Sequence, residues 1–155
     1  MEVCDMDTNT TVVDTKQYIV LRFDSEQYGI DITYIDNIVR LQPITRVPHT
    51  QPYFLGVINL RGEIIPVMSF RRKFELPEKE NTNATRILIV KVDGNKIGIL
   101  VDEIREVVTL SEDDTEKLGS ETNDVKAYIT AVGKYNESLI SILNIAGLIA
   151  DIEND

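Results

Sequence analysis

The chain has 155 residues, of which 43% are apolar and 27% charged, a balance that suits one soluble globular domain or two very small ones sharing a core. Sixteen basic residues stand against 26 acidic ones, and the net charge of −10 disfavours phosphate backbones and anionic membranes as partners. Cys4 has no second cysteine to bridge, no apolar run approaches the ~18 residues of a membrane span, and the acidic start is unlike a signal peptide, so a cytoplasmic location is expected.

Residues 1–15 lack a sustained period and read as a flexible tail. Ile19 to Phe23 then alternates as a strand should, and Tyr28 to Ile32 follows a turn built on Asp24-Ser25-Glu26. Ile32, Ile35 and Ile38 have helical spacing over too short a stretch for more than one turn. Pro43 and Pro48 punctuate a loop that also carries His49. Val57 to Leu60 and Ile64 to Met68 form two apolar runs around Arg61-Gly62-Glu63, and Pro66 assigns an edge or a bulge to the second. Arg71-Arg72-Lys73 reads as an exposed turn or a site for an acidic partner. The polar stretch Leu76 to Ala84 is the best internal boundary. Beyond it, Arg86 to Val92 is apolar and Asp93-Gly94 is a hairpin turn. Glu112, Asp113, Asp114 and Glu116 read as a solvated helix start. Asn144 is placed to cap a short closing helix, Ile145 to Ala150.

The chain also repeats itself. A displacement of 69 positions lays Gly98 on Gly29, and without a gap it matches Asp93 to Asp24, Ile99 to Ile30, Val101 to Ile32, Ile104 to Ile35 and Val108 to Val39. A displacement of 75 then matches Tyr128 to Tyr53, Val132 to Val57, Leu139 to Ile64, Ile140 to Ile65 and Ile142 to Val67. The six extra residues fall in the polar stretch 111–125, where insertion costs little. Units of roughly 60 residues bury too little surface alone, and small antiparallel sheets protect their edges by closing. The expected fold is all-β. Two SH3-like five-stranded barrels, 16–80 and 85–150, should pack side by side with a short C-terminal helix, a tail at 151–155 and a binding groove between the barrels.

Nothing in the spacing supports catalysis. His49 stands alone, Cys4 lies among acids that oppose a thiolate, and neither a metal-ligand pattern nor a phosphate-binding glycine motif occurs, so no cofactor or metal is expected. Arg61 is the sharpest residue, either a structural arginine paired with an acid such as Glu63 or a guanidinium held out for a partner.

The string Gly56-Val-Ile-Asn-Leu-Arg-Gly-Glu-Ile-Ile-Pro-Val67, with Ile99-Leu-Val-Asp102 and the run from Tyr128 to Ile142, resembles the CheW-like chemotaxis coupling proteins from about Gln17 to Ile149. The resemblance implies a non-enzymatic adaptor, monomeric alone, that joins the cytoplasmic tip of chemoreceptors to the regulatory domain of the histidine kinase CheA. Carried over by position, the receptor groove comprises Ile32, Ile35, Asn37, Ile38, Leu60, Arg61, Gly62 and Val101. Many relatives place a glutamate where this chain has Asn37, whose neutral carbonyl oxygen cannot form a charge-assisted pair with Arg61. Asp36, Glu63, Asp102 and Glu106 are the candidate substitutes. The competing readings are a coupling protein of another receptor–kinase pathway and a small β-barrel nucleic-acid binder, which would need a basic stripe.

Overall fold

The computed structural model describes residues 15–48, 51–117 and 128–153, with side chains described up to residue 150. Cys4, His49 and part of the polar stretch 111–125 lie outside the described residues. Among the described residues there are eleven strands: β1 Thr15–Phe23, β2 Glu26–Asp31, β3 Ile35–Arg40, β4 Phe54–Leu60, β5 Glu63–Ser69, β6 Arg86–Val92, β7 Asn95–Val101, β8 Glu103–Ser111, β9 Thr115–Lys117, β10 Ile129–Tyr135 and β11 Ser138–Leu143. Two helices, α1 Phe70–Lys73 and α2 Ile145–Glu153, follow β5 and β11, and 3-10 turns at Ile32–Tyr34 and Glu112–Asp114 precede β3 and β9.

The strands form two sheets, a six-stranded one in the order β8-β1-β2-β11-β10-β9 and a five-stranded one in the order β3-β6-β7-β5-β4. In the larger sheet the two edge strands, β8 and β9, are consecutive in the chain and joined by the Glu112–Asp114 turn, so the sheet curls onto itself. The smaller sheet does the same with less: beyond β3 a single antiparallel bridge ties Thr45 to Val57 on the outer edge of β4.

The sequence repeat maps element onto element. β1, β2 and β3 correspond to β6, β7 and β8, while β4, β5 and α1 correspond to β10, β11 and α2. Under that mapping the order β3-β6-β7-β5-β4 becomes β8-β1-β2-β11-β10, which is the other sheet without β9. The sheets do not follow the half-chain boundaries 16–80 and 85–150. Each half lends its first hairpin to the other's barrel, through the parallel pairs Val67↔Gly98 and Ile142↔Gly29. The physical reason lies in β1 and β6, which are apolar on both faces and must be covered on both. In β1, Ile19, Leu21 and Phe23 face the core between the barrels, whereas Tyr18 and Val20 face the interior of the six-stranded one. In β6, Leu88 and Val90 face the shared core, whereas Ile87 and Ile89 fill the five-stranded interior.

A reciprocal exchange of equivalent hairpins closes only as an approximate two-fold. Local details obey it. Ser69 N–H donates to the Tyr53 carbonyl at 2.8 Å, and Asn144 N–H donates to the Tyr128 carbonyl at 2.7 Å. The same two residues cap their helices: the Ser69 hydroxyl accepts from Arg72 N–H, and the Asn144 side-chain oxygen accepts from Gly147 N–H at 3.1 Å. Gly29 sits where a Cβ would lie 3.0 Å from Ile140 on the parallel neighbour β11, and Gly98 where it would lie 2.9 Å from Ile87 on antiparallel β6 and 3.3 Å from Val67 on parallel β5, so each glycine makes room for side chains of its neighbouring strands. Between the barrels, Phe23, Phe70 and Phe74 stack at centroid distances of 4.1 and 4.2 Å.

Candidate functional site

The strands β3, β5 and β7 run in one direction, so the start of β3, the β4–β5 turn and the β6–β7 turn meet at one end of the five-stranded barrel. Lys96 ties this end together: its Nζ lies 3.0 Å from Glu63 Oε1 and 3.5 Å from Asp36 Oδ2. The hydrogen bond to Glu63, with the charge of Asp36 beside it, holds this ammonium above its ordinary range.

Arg61 and Gly62 form the two-residue β4–β5 turn, with φ of 53° and 87°. Two successive positive φ values define the primed turn that matches strand twist, and Asn or Gly suits its first position. An arginine there is held against its backbone preference. Asn59 supports the turn, its side-chain oxygen accepting from Gly62 N–H at 3.0 Å. Arg61 is exposed, and none of the described acids forms an ion pair with it. The proposed substitutes are engaged elsewhere or remote: Asp36 and Glu63 hold Lys96, Asp102 holds Arg71, and Glu106 lies on β8 opposite Val20 in the other sheet.

Ile35 and Ile38 share a face although they stand three apart on a strand. A bulge at Asp36 skips one register position, so Ile35 lies opposite Val90 and Ile38 opposite Leu88, both on the side of the inter-barrel core. Ile35 packs against that core, while Ile38 remains 41% exposed at its flank. The helical spacing read from sequence is therefore one 3-10 turn followed by a bulged strand. Ile32 is half-buried in that turn, and Leu60 half-buried against the barrel interior. Asn37 is half-buried, its side-chain oxygen accepting from Ile38 N–H at 2.8 Å. Val101 departs from expectation: at 1% exposure it belongs to the inter-barrel core and cannot line a surface groove, because β7 is a central strand covered on both faces. The space expected to be a groove between the barrels is largely filled by that core.

Sequence reasoning missed Arg71. The basic run 71–73 is not an exposed turn, since Arg71 is 6% exposed. Its Nε donates to both Asp102 oxygens at 3.0 Å, Nη2 reaches Asp102 and Asp24, the latter at 3.1 Å, and Nη1 donates to the Pro77 carbonyl at 2.7 Å. The Asp102 hydrogen bonds, with Asp24 adding to them, raise this guanidinium above its usual value despite its burial. Phe70 and Phe74, four apart on either side of Arg71, are the signal that this segment is a packed helix rather than a loop. Lys73 lies over the rings of Tyr53 and Tyr128, at 4.4 and 5.6 Å, between two residues that the repeat equates.

Among the described residues no group of three or more His, Cys, Asp or Glu side chains could hold a metal ion, and no helix is long and apolar enough to cross a membrane.

Two interlocked SH3-like barrels that present an exposed arginine turn define a recognition domain. Residues 17–153 match the family described as the CheW-like domain. The chain is 34% identical over 140 residues to the chemotaxis protein CheW of Bacillus subtilis, covering 90% of this chain and 89% of that one. It is 33% identical over 129 residues to the chemotaxis protein CheW of Helicobacter pylori, covering 83% and 78%. The crystal structure of the scaffolding protein TtCheW from Thermoanaerobacter tengcongensis superposes with a TM-score of 0.78 at 31% identity, over 84% of this chain and 90% of that one. The chain belongs to the CheW-like domain family.

Proposed function

We propose that this protein is a non-enzymatic scaffold that couples chemoreceptors to the chemotaxis histidine kinase CheA in the cytoplasm. One observation carries this reading: the likeness to chemotaxis scaffolds runs through both barrels, 17–153, so both halves of a two-partner adaptor are represented. The receptor side is assigned to the end of the five-stranded barrel, with Ile32, Ile35 and Ile38 as the apolar rim, Asn37 on β3 among them, and Arg61, carried on the Leu60–Gly62 turn, as the polar anchor. An apolar strip next to a guanidinium suits a helical partner that lays its own apolar face down and offers an acid at its edge. The kinase regulatory domain, of the same fold, is assigned to barrel ends. An adaptor of this kind transmits a signal only through differential binding to kinase states that already exist.

Chemical-shift mapping with a receptor-tip fragment and a kinase regulatory fragment, added separately, tests the assignment. The receptor fragment should perturb β3 and the β4–β5 turn, and the kinase fragment a different set. If neither fragment perturbs the spectrum at tens of micromolar (on the order of −6 kcal/mol of binding), the proposal fails.

A further inference from the structure

The approximate two-fold makes two chain crossovers between the barrels equivalent: β2 to β3 through the Ile32–Tyr34 turn, and β7 to β8 through Asp102. Their polar chemistry differs sharply. At the β7–β8 crossover, buried Arg71 grips Asp102, reaches Asp24 on the β1–β2 turn of the other barrel, and holds the Pro77 carbonyl of the segment linking the two halves. Lys79 of that segment stands 3.9 Å from Asp24 and 3.8 Å from Asp102. The repeat places Ala146, Thr33 and Asp93 where Arg71, Asp102 and Asp24 stand. Among the described residues the β2–β3 crossover therefore has no buried guanidinium, and its polar contacts are local: Asp31 Oδ1 accepts from Thr33 N–H at 3.0 Å and from the Thr33 hydroxyl at 2.9 Å.

We propose that Arg71 is a positioning residue that sets the angle between the two barrels by pinning one crossover, leaving the crossover beside Ile32 and Ile35 as the compliant side. The shared core between the barrels is apolar and adheres without direction. A guanidinium clamping one carboxylate through two nitrogens has a fixed geometry, so it can select one arrangement among several that the apolar core would tolerate. The pinned angle places the β3 rim relative to the opposite barrel. This inference rests on the scaffold reading above, and the rim it positions is the proposed receptor side.

Three variants test it. Asp24→Asn removes the cross-barrel charge at a side chain that is 61% exposed, and asparagine tolerates the positive φ of 58° there. Arg71→Met combined with Asp102→Asn removes the clamp without leaving a lone buried charge. Arg71→Lys keeps the charge and loses the fork. Amide residual dipolar couplings read the barrel arrangement directly. In the double variant each barrel should fit its own structure while the two together no longer fit the native angle, with a smaller change in the same direction for Asp24→Asn and partial recovery in Arg71→Lys. Receptor-fragment binding should weaken roughly fivefold or more, with kinase-fragment binding within about twofold of native. Native couplings in both the Asp24→Asn and the double variant would overturn the proposal, as would equal loss of both partners. If the unaltered protein binds no receptor fragment, the receptor assignment fails, while the couplings alone still decide whether Arg71 sets the angle. A double variant that does not fold leaves the decision to Asp24→Asn.

Discussion

Replacing Arg61 by asparagine separates a side chain kept for a partner from one kept for the fold. Arg61 holds φ of 53° in a two-residue turn, and its equivalent in the other barrel is Asn136, at φ of 47°. An L-residue in this region costs on the order of 1 kcal/mol, less for asparagine, whose short side chain bonds locally. None of the described acids pairs with Arg61, so the substitution breaks no ion pair among them. Arg61→Asn should therefore leave stability unchanged or raise it by roughly 0.5–1 kcal/mol, a melting shift of about +1 to +4 °C for a chain of this size. Loss of a charge-assisted hydrogen bond to a receptor acid costs about 1.5–3 kcal/mol, or about 10- to 150-fold in affinity. Calorimetric melting and titration of the receptor-tip fragment read the two effects independently. Asn136→Arg is the reverse experiment: it should cost a similar fraction of a kcal/mol and add no receptor affinity. A loss of more than about 2 kcal/mol in Arg61→Asn would show the arginine to be structural. Unchanged affinity would remove it from the receptor site.

Three further outcomes follow from the packing and the titrating groups. Val67 is fully buried in the five-stranded interior, so Val67→Asp should cost several kcal/mol and abolish a single cooperative melt; a native-like melt would contradict the assigned interior. Gly98→Ala places a Cβ 2.9 Å from Ile87 and 3.3 Å from Val67 and should cost about 1–3 kcal/mol through overpacking, whereas Gly62→Ala meets nothing within 4 Å and should cost about 1 kcal/mol through its φ of 87° alone. Denaturant melts distinguish these, since Ile87→Ala removes the methyl that the new Cβ would meet and should combine with Gly98→Ala at less than the sum of the two costs, while adding simply to Gly62→Ala. Burial raises the Tyr28 and Tyr18 hydroxyls above the usual phenol value, assisted by Glu26 at Tyr28 and by Asp31 at Tyr18. The folded chain then keeps protons that the unfolded chain releases, so this stability is complete below about pH 10 and drains away as the pH rises past it. Tyr28→Phe should flatten that alkaline decline, and an unchanged slope in melts across the alkaline range would refute the role of Tyr28.

What the sequence conveyed well was local and periodic. The strand at Ile19 to Phe23, the Asp93-Gly94 turn, the paired runs around Arg61 and the Asn144 cap depend on neighbours within a few residues, and all four stand in the structure, although β1 is buried on both faces rather than alternating. The repeat was legible for the same reason, because both halves solve the same local problems. The exchange of hairpins was not, since the parallel pairing of Val67 with Gly98 joins residues whose partnership no local pattern encodes. The bulge at Asp36 was equally hidden, and without it Ile35 and Ile38 would point to opposite faces. Arg71 looked like one member of an exposed basic run because its burial depends on Asp24 and Asp102, 47 and 31 residues away.

A duplicated fold that serves two different partners cannot present the same surface twice. The buried positions of the two halves are largely interchangeable: Val67 and Ile142 flank Gly98 and Gly29, and Phe70 and Ile145 open the two helices into one shared core. The exposed and charged positions are not. Arg61 faces Asn136 across the two-fold, Lys96 faces Gln27, Glu63 faces Ser138, and Arg71 faces Ala146. Core residues are held alike because both barrels must bury the same surface, and a departure there would cost stability at once. Charged residues at the barrel ends are free to diverge at little cost to the fold. The end of the five-stranded barrel accordingly carries an ordered Asp36–Lys96–Glu63 bridge beside an arginine turn, whereas the counterpart turn, Asn136-Glu137, keeps the positive φ values without the arginine and, among the described residues, without such a bridge. The repeat supplies a rigid double body, and the residues that break the repeat are the ones available to tell one partner from the other.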